Sequence, residues 1–207
     1  MTDPDAPATD ESIAAEPVAD QPVGIGPTKG FTLPRDCEVT IVPAGHRTVL
    51  TAGDRVTLLQ ALGGTATVKT RAGEMARLSR TDSIDLGFIE ARNTDTPAVV
   101  SDAPFSVDRV WEAATSVYDP EIPVDIVELG LVYRVDAEQM ASGGWHVEVD
   151  MSVTAPFCGM GDILRQDLHD AVAALTGVEE VEVKLVFDPP WTASRLSDVA
   201  RLELGMM

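Results

Sequence analysis

The stretch that decides the fold is Trp145-His146-Val147-Glu148-Val149-Asp150-Met151-Ser152-Val153-Thr154, running on into Ala155-Pro156-Phe157-Cys158-Gly159-Met160-Gly161-Asp162. In its first ten residues Trp145, Val147, Val149, Met151 and Val153 alternate with His146, Glu148, Asp150 and Ser152. A period of two reads as a half-buried strand with one wet face. Beyond the turn, Leu164, Leu168, Ala171, Val172 and Leu175 recur at helical spacing, and Gly177 closes that helix. Cys158 thus falls on a strand-to-helix turn beside Gly159 and Gly161. A thiol there would face backbone N–H groups and the positive end of a helix dipole, both of which favour the thiolate. A buried, inert cysteine beside a tight turn is the plain alternative.

The flanks extend the pattern. Upstream, Ser106 can cap a helix in which Val107, Val110, Trp111, Ala114, Val117 and Tyr118 share a face. Asp119-Pro120 and Ile122-Pro123 stop it. The loop from Asp119 to Gly130 carries four carboxylates, on Asp119, Glu121, Asp125 and Glu128. Leu131 to Val135 reads as a short strand, and Ser142-Gly143-Gly144 as a turn. Downstream, Val181, Val183, Leu185 and Phe187 alternate as a third strand. Asp188-Pro189-Pro190-Trp191-Thr192 is a rigid turn, and Ser194 to Leu204 suits a helix closed by Gly205.

The order is α-β-β-α-β-α around a three-stranded mixed sheet. The first two strands form a hairpin, and a right-handed crossover makes the second and third parallel. Three loops then meet at one end of the sheet: Asp119–Gly130, Thr154–Asp162 and Asp188–Thr192. Ligands favour that end of α/β units.

The preceding half reads differently. Residues 1–30 contain five prolines and no periodic apolar pattern, as expected of a disordered acidic tail. Residues 31–100 read as a small all-β domain, making the chain α+β overall. Cys37–Val42, Arg55–Leu59, Thr65–Thr70 and Met75–Leu78 are short strands separated by turn chemistry, which suggests a small barrel or sandwich. Gly63-Gly64 marks a bend, or a place where a ligand approaches the backbone. Cys37 reads as a small buried apolar residue. Residues 101–105 end a polar, proline-marked linker, and residues 106–207 form the second domain.

The net charge is −19, and residues 106–207 hold nineteen acids against six bases. Such a surface repels phosphate backbones, so nucleic acid is a poor partner. The chain lacks an apolar run of membrane-spanning length and a secretory signal, and two cysteines make no disulfide framework. A cytoplasmic protein is the expectation.

Most thiol chemistries lack a component. A cysteine hydrolase needs an imidazole within reach of the thiol. His146 begins its strand at the far end of the sheet, His169 lies on the order of 15 Å along the helix, and His46 belongs to the first domain. Zinc sites and disulfide oxidoreductases need spacings such as CxxC that do not occur, and there is no phosphate-binding GxxxxGK[ST]. What remains is Cys158 with Thr154, Asp119 and Glu121. A stable iron–sulfur cluster wants four thiolates, more than one chain supplies. A labile cluster, completed by a second copy or a small thiol, is within reach of this set.

At these residues the chain resembles the metal–sulfur cluster biosynthesis, or PaaD-like, domain family. The matching stretches are Asp119-Pro120-Glu121-Ile122-Pro123-Val124-Asp125-Ile126, Glu128-Leu129-Gly130-Leu131-Val132-Tyr133, and the Thr154–Gly161 turn. Gln60-Ala61-Leu62-Gly63-Gly64 before them, with Phe187–Trp191 and Arg201–Met206 after, resemble the long, SufT-type form of the family. The resemblance implies an accessory factor in iron–sulfur protein maturation rather than an enzyme, working with SUF-type assembly proteins and iron–sulfur clients, with a homo-oligomer as one way to complete a cluster. It places Cys158, Thr154, Asp119 and Glu121 in contact with cluster or client, Cys158 being the candidate metal ligand. No firm cofactor follows. Asp125 stands where the family has Asn, which adds charge, and Phe157 where Gly is usual, which would narrow access to the thiol. A metal-free adaptor, or a subunit of a multicomponent oxygenase, is the alternative.

Overall fold

The computed structural model describes residues 30–89, 104–155 and 159–206. The expected tail up to residue 29, most of the linker and Cys158 itself lie outside these described residues. Gly30, assigned to the tail by the sequence reading, opens a strand.

The first unit is one antiparallel sheet. Its strands are β1 (Gly30–Thr32), β2 (Cys37–Val42), β3 (Arg47–Leu50), β4 (Arg55–Leu62), β5 (Thr65–Lys69) and β6 (Met75–Leu78), in the order β1-β4-β5-β6-β2-β3. Among the described residues the edges β1 and β3 are not paired with each other, so the sheet is not closed by hydrogen bonds into a complete barrel. Gln60-Ala61-Leu62 continues β4, and Gly63-Gly64 turns it into β5. A short helix follows, α1 (Arg80–Asp85), whose start is capped where Ser79 Oγ accepts the Asp82 N–H at 3.0 Å. Leu33, Cys37, Val39, Val56, Val68 and Leu78 fill this unit's own core.

The second unit has α2 (Val107–Ala114), β7 (Val132–Gln139), β8 (Trp145–Met151), α3 (Gly161–Ala173), β9 (Val178–Leu185) and α4 (Asp198–Glu203). The α-β-β-α-β-α order and the mixed three-stranded sheet are as the pattern predicts: β7 runs antiparallel to β8, and β9 parallel to it. On β8 the odd-numbered residues Val147, Val149 and Met151 are buried. On α3, Leu164, Leu168 and Val172 share the buried face, and each such side chain contributes about 2 kcal/mol.

Helix ends differ from expectation. α2 stops at Ala114 rather than near Tyr118. The Thr115 and Ser116 hydroxyls turn back to donate to the carbonyls of Glu112 (2.7 Å) and Ala113 (2.6 Å), competing with continued helix. Ser106 begins α2 without a side-chain cap bond. The last helix is interrupted: a single 3-10 turn, Ala193–Arg195, precedes α4, which Ser197 caps. Phe105, placed in the linker by the sequence, stacks on Trp145 with ring centroids 4.7 Å apart. Among the described residues no helix is long and apolar enough to cross a membrane.

Candidate functional site

Strand register brings the three predicted loops to one end of the second sheet. Val132 pairs with Met151, and Met151 with Leu185, so the start of β7 and the ends of β8 and β9 lie side by side. The Ser152 N–H donates to the Leu131 carbonyl and the Val186 N–H to the Met151 carbonyl, both at 2.8 Å. The C-terminal segment then fastens the first loop. Trp191 donates its indole N–H to the Leu129 carbonyl at 2.8 Å. Arg195 donates from Nε to the Gly130 carbonyl at 2.9 Å and lies over the Tyr133 ring, 3.7 Å from its centroid. Ser197 donates its N–H to the Glu128 carbonyl at 3.0 Å and its hydroxyl to the Glu128 carboxylate. Gly130 has φ 67°, and a side chain there would meet the Arg195 backbone.

Within the Asp119–Gly130 loop two aspartates shape the backbone. Asp119 Oδ1 accepts the N–H groups of Glu121 (2.8 Å) and Ile122 (3.0 Å). Asp125 Oδ1 accepts those of Val127 (2.9 Å) and Glu128 (3.0 Å). Such local bonds replace the helix or sheet partners that the prolines deny this segment. Both carboxyls are buried, and burial pushes each above the usual carboxylate range, opposed by these same N–H donors. Glu121 is exposed at the loop's crest and raised more by partial desolvation than by the neighbouring Asp119 charge. Asp125 uses its Oδ1 as an Asn Oδ1 could also be used, and adds a charge.

Thr154 is half-buried and lines a small cavity of about 40 Å³ with Ser152, Val153, Phe187, Pro190 and Trp191. The structure therefore brings Thr154 to the Asp188–Thr192 loop, which in turn holds the first loop. Among the described residues no hydrogen bond or ion pair joins Thr154 to Asp119 or Glu121, and no group of three or more His, Cys, Asp or Glu could hold a metal ion. Cys37 is buried in the first unit's core, and burial pushes its thiol pKa up. That leaves Cys158 as the chain's candidate reactive thiol.

What sequence reasoning missed is the part taken by the first unit. Gln60 donates from Nε2 to the Asp119 carbonyl at 3.0 Å. Arg77 on β6 pairs with Asp167 on α3. Gly45 lies against Gly159, so His46, set aside as belonging to another domain, follows a residue that touches the cysteine-bearing turn. No local pattern signals such contacts between residues far apart in the chain.

The sequence profile of the family described as iron–sulfur cluster assembly proteins matches residues 107–185. An Fe–S protein maturation auxiliary factor of Porphyromonas gingivalis is 41% identical over 92 residues, covering 44% of this chain and 84% of that one. The chain belongs to the iron–sulfur cluster assembly family. A second member, the Fe–S protein maturation auxiliary factor YitW of Bacillus subtilis, is 37% identical over 99 residues, 48% of this chain and 93% of its own. The Fe–S protein maturation auxiliary factor SufT of Staphylococcus aureus is 36% identical over 90 residues, 44% of this chain and 98% of its own. The family match begins after the six-stranded sheet, which is thus an addition to the family unit.

Proposed function

We propose that this protein is a non-catalytic auxiliary factor in iron–sulfur protein maturation, acting in the cytoplasm between SUF-type assembly proteins and iron–sulfur clients. The observation that carries the reading is the match to relatives named as maturation auxiliary factors over nearly their whole length. Cluster is the cargo. Cys158 is the thiolate that meets cluster or client, Thr154 and Glu121 are the further contacts, and Asp119 acts by holding the Glu121 backbone in its turn.

The donor set supports transient rather than resident cluster. With Cys37 sequestered, one chain offers one thiolate where a stable cluster needs about four, so the remaining ligands come from a second copy, a client or a small thiol. Anaerobic reconstitution with iron and sulfide, comparing wild type with Cys158→Ser, tests this. Cysteine-dependent iron and sulfide, together with lost support for cluster-containing clients, is the expected result. Full client support by the variant would overturn it.

The second reading, a metal-free adaptor, is favoured by one observation: Asp119 and Asp125 each engage Oδ1 with two backbone N–H groups, which ties these carboxylates to the loop's own turns. In that case Cys158→Ser changes client binding, and neither protein takes up cluster.

A further inference from the structure

The two units have separate hydrophobic cores and do not close flush on each other. Gln60 reaches the Asp119 carbonyl at 3.0 Å, Gly63 packs on the end of α2, and Arg77 on β6 pairs with Asp167 on α3. Beside these contacts lies an open cleft of about 980 Å³, walled by β2, β3 and β6 on one side and by α2 and α3 on the other. A space of that size holds a small organic molecule, and clefts where two units meet are a favoured place for one.

The walls carry opposite charge. On the first, Arg47 opens β3 opposite Thr40. Arg80 rests its guanidinium on the Gly63-Gly64 turn, where a Cβ at Gly64 would lie 2.8 Å from Nη1. On the second wall are Glu112, Asp167 and Asp170. Glu112 stands in the last turn of α2, which holds no basic residue, so the partial negative charge of the helix end adds to its own.

Most of these charges are already engaged. Arg77, only 8% exposed, donates from Nε to Thr65 at 3.2 Å and spans the walls to Asp167. Asp170 Oδ1 accepts from Gln166 Nε2 at 2.8 Å. Arg47 and Glu112 differ. Among the described residues neither side chain has an ion pair or a hydrogen bond, and both are exposed, one on each wall.

A ligand of this cleft must balance its charges. A polyanion would meet Glu38, Glu112 and Asp170, and a polycation would meet Arg47, Arg77 and Arg80. A molecule with a carboxylate at one end and an ammonium at the other suits both walls. The guanidinium takes the carboxylate through two parallel N–H bonds, and the carboxylate of Glu112 takes the ammonium. Hydroxyls of Thr40, Ser116 and Tyr118 also line the cleft and can bond to amide groups.

We propose that the cleft between the units binds a zwitterionic small molecule, an amino acid or short peptide, with its carboxylate on Arg47 and its ammonium on Glu112. The site needs both units, because the family unit alone supplies only the acidic wall. It does not rest on the maturation reading.

The test is calorimetric titration of the full chain, without metal, with three probes: trialanine, its N-acetyl form, which keeps only the carboxylate, and its C-terminal amide, which keeps only the ammonium. Wild type should bind trialanine about fivefold more tightly than either capped form, the factor that ~1 kcal/mol from an exposed ion pair produces. Arg47→Gln should bind trialanine and the amide alike, and Glu112→Gln should bind trialanine and the N-acetyl form alike. Both residues lie outside the two cores, so the variants keep the fold. No binding of trialanine, equal binding of the three peptides by wild type, or a preference that survives both substitutions overturns the proposal. Each of those results would leave the maturation reading standing, because no cluster is involved.

Discussion

Asp119 and Asp125 make the same pair of hydrogen bonds six residues apart: in each, Oδ1 accepts the N–H groups two and three residues ahead. The loop between α2 and β7 is in effect two consecutive aspartate-capped turns. Its acidity, which at the sequence level suggests ligands, supplies architecture instead.

Asp125→Asn keeps the oxygen acceptor and removes a buried charge. It should leave stability unchanged or raise it by up to about 1 kcal/mol at neutral pH. Asp125→Ala, which strands two part-buried N–H groups, should lower it by about 1–2 kcal/mol. Urea unfolding of the two variants separates the effects, and a large loss for Asn would refute the acceptor role.

Stability should depend on pH through the raised carboxyls. Asp119, Asp125 and Asp167 are each pushed up mainly by burial, and in Asp167 the Arg77 charge opposes the shift. A folded pKa above the unfolded one means that the native state binds protons more tightly. Stability should therefore rise as pH falls from neutral into the raised range, and stop rising near the ordinary value of 3.8. Half-buried Glu148, held low by Lys184 and Arg134, works in the opposite direction below its ordinary value. Denaturant midpoints between neutral and mildly acid pH should show the slope, and Asp167→Asn should flatten it.

Trp191→Phe tests the fastening of one loop by another. It keeps the aromatic body beside Thr154 but deprives the buried Leu129 carbonyl of its donor. A loss of about 1–2 kcal/mol is expected, read by chemical denaturation. No loss would mean that the indole N–H contributes nothing to loop position.

Ser197 serves two partners through one hydroxyl, donating to Glu128 and accepting the Ala200 N–H at 3.0 Å. Ser197→Ala should cost about 1–2 kcal/mol, the usual range for a lost helix cap. Ser197→Asp restores the cap but sets a second carboxylate against Glu128, so it should recover less than Ser197→Asn. Thermal unfolding of the three variants gives the order.

The second unit was largely legible because its signals are local and strong. The alternation on β8 and the stripe on α3 fix which faces are buried, and crossover handedness then makes β8 and β9 parallel and gathers three loops at one end. Strands β1 and β3 carried no comparable signal: Gly30–Thr32 is three residues long, and Arg47–Leu50 is an edge strand with three exposed residues of four. Neither has an apolar face to alternate. The six-residue α1 is too short for a helical period to emerge. The early end of α2 turned on Thr115 and Ser116 choosing carbonyls of their own helix. The docking of Gln60, Arg77 and Gly45 joins residues some 60 to 110 positions apart, a relationship that only the folded chain contains.

Cys37 is 1% exposed beneath the six-stranded sheet, with its thiol held protonated by burial. It reacts only when that sheet comes apart. The first unit therefore carries a chemical timer inside its own core, and a labelling course at Cys37 records how often that core opens.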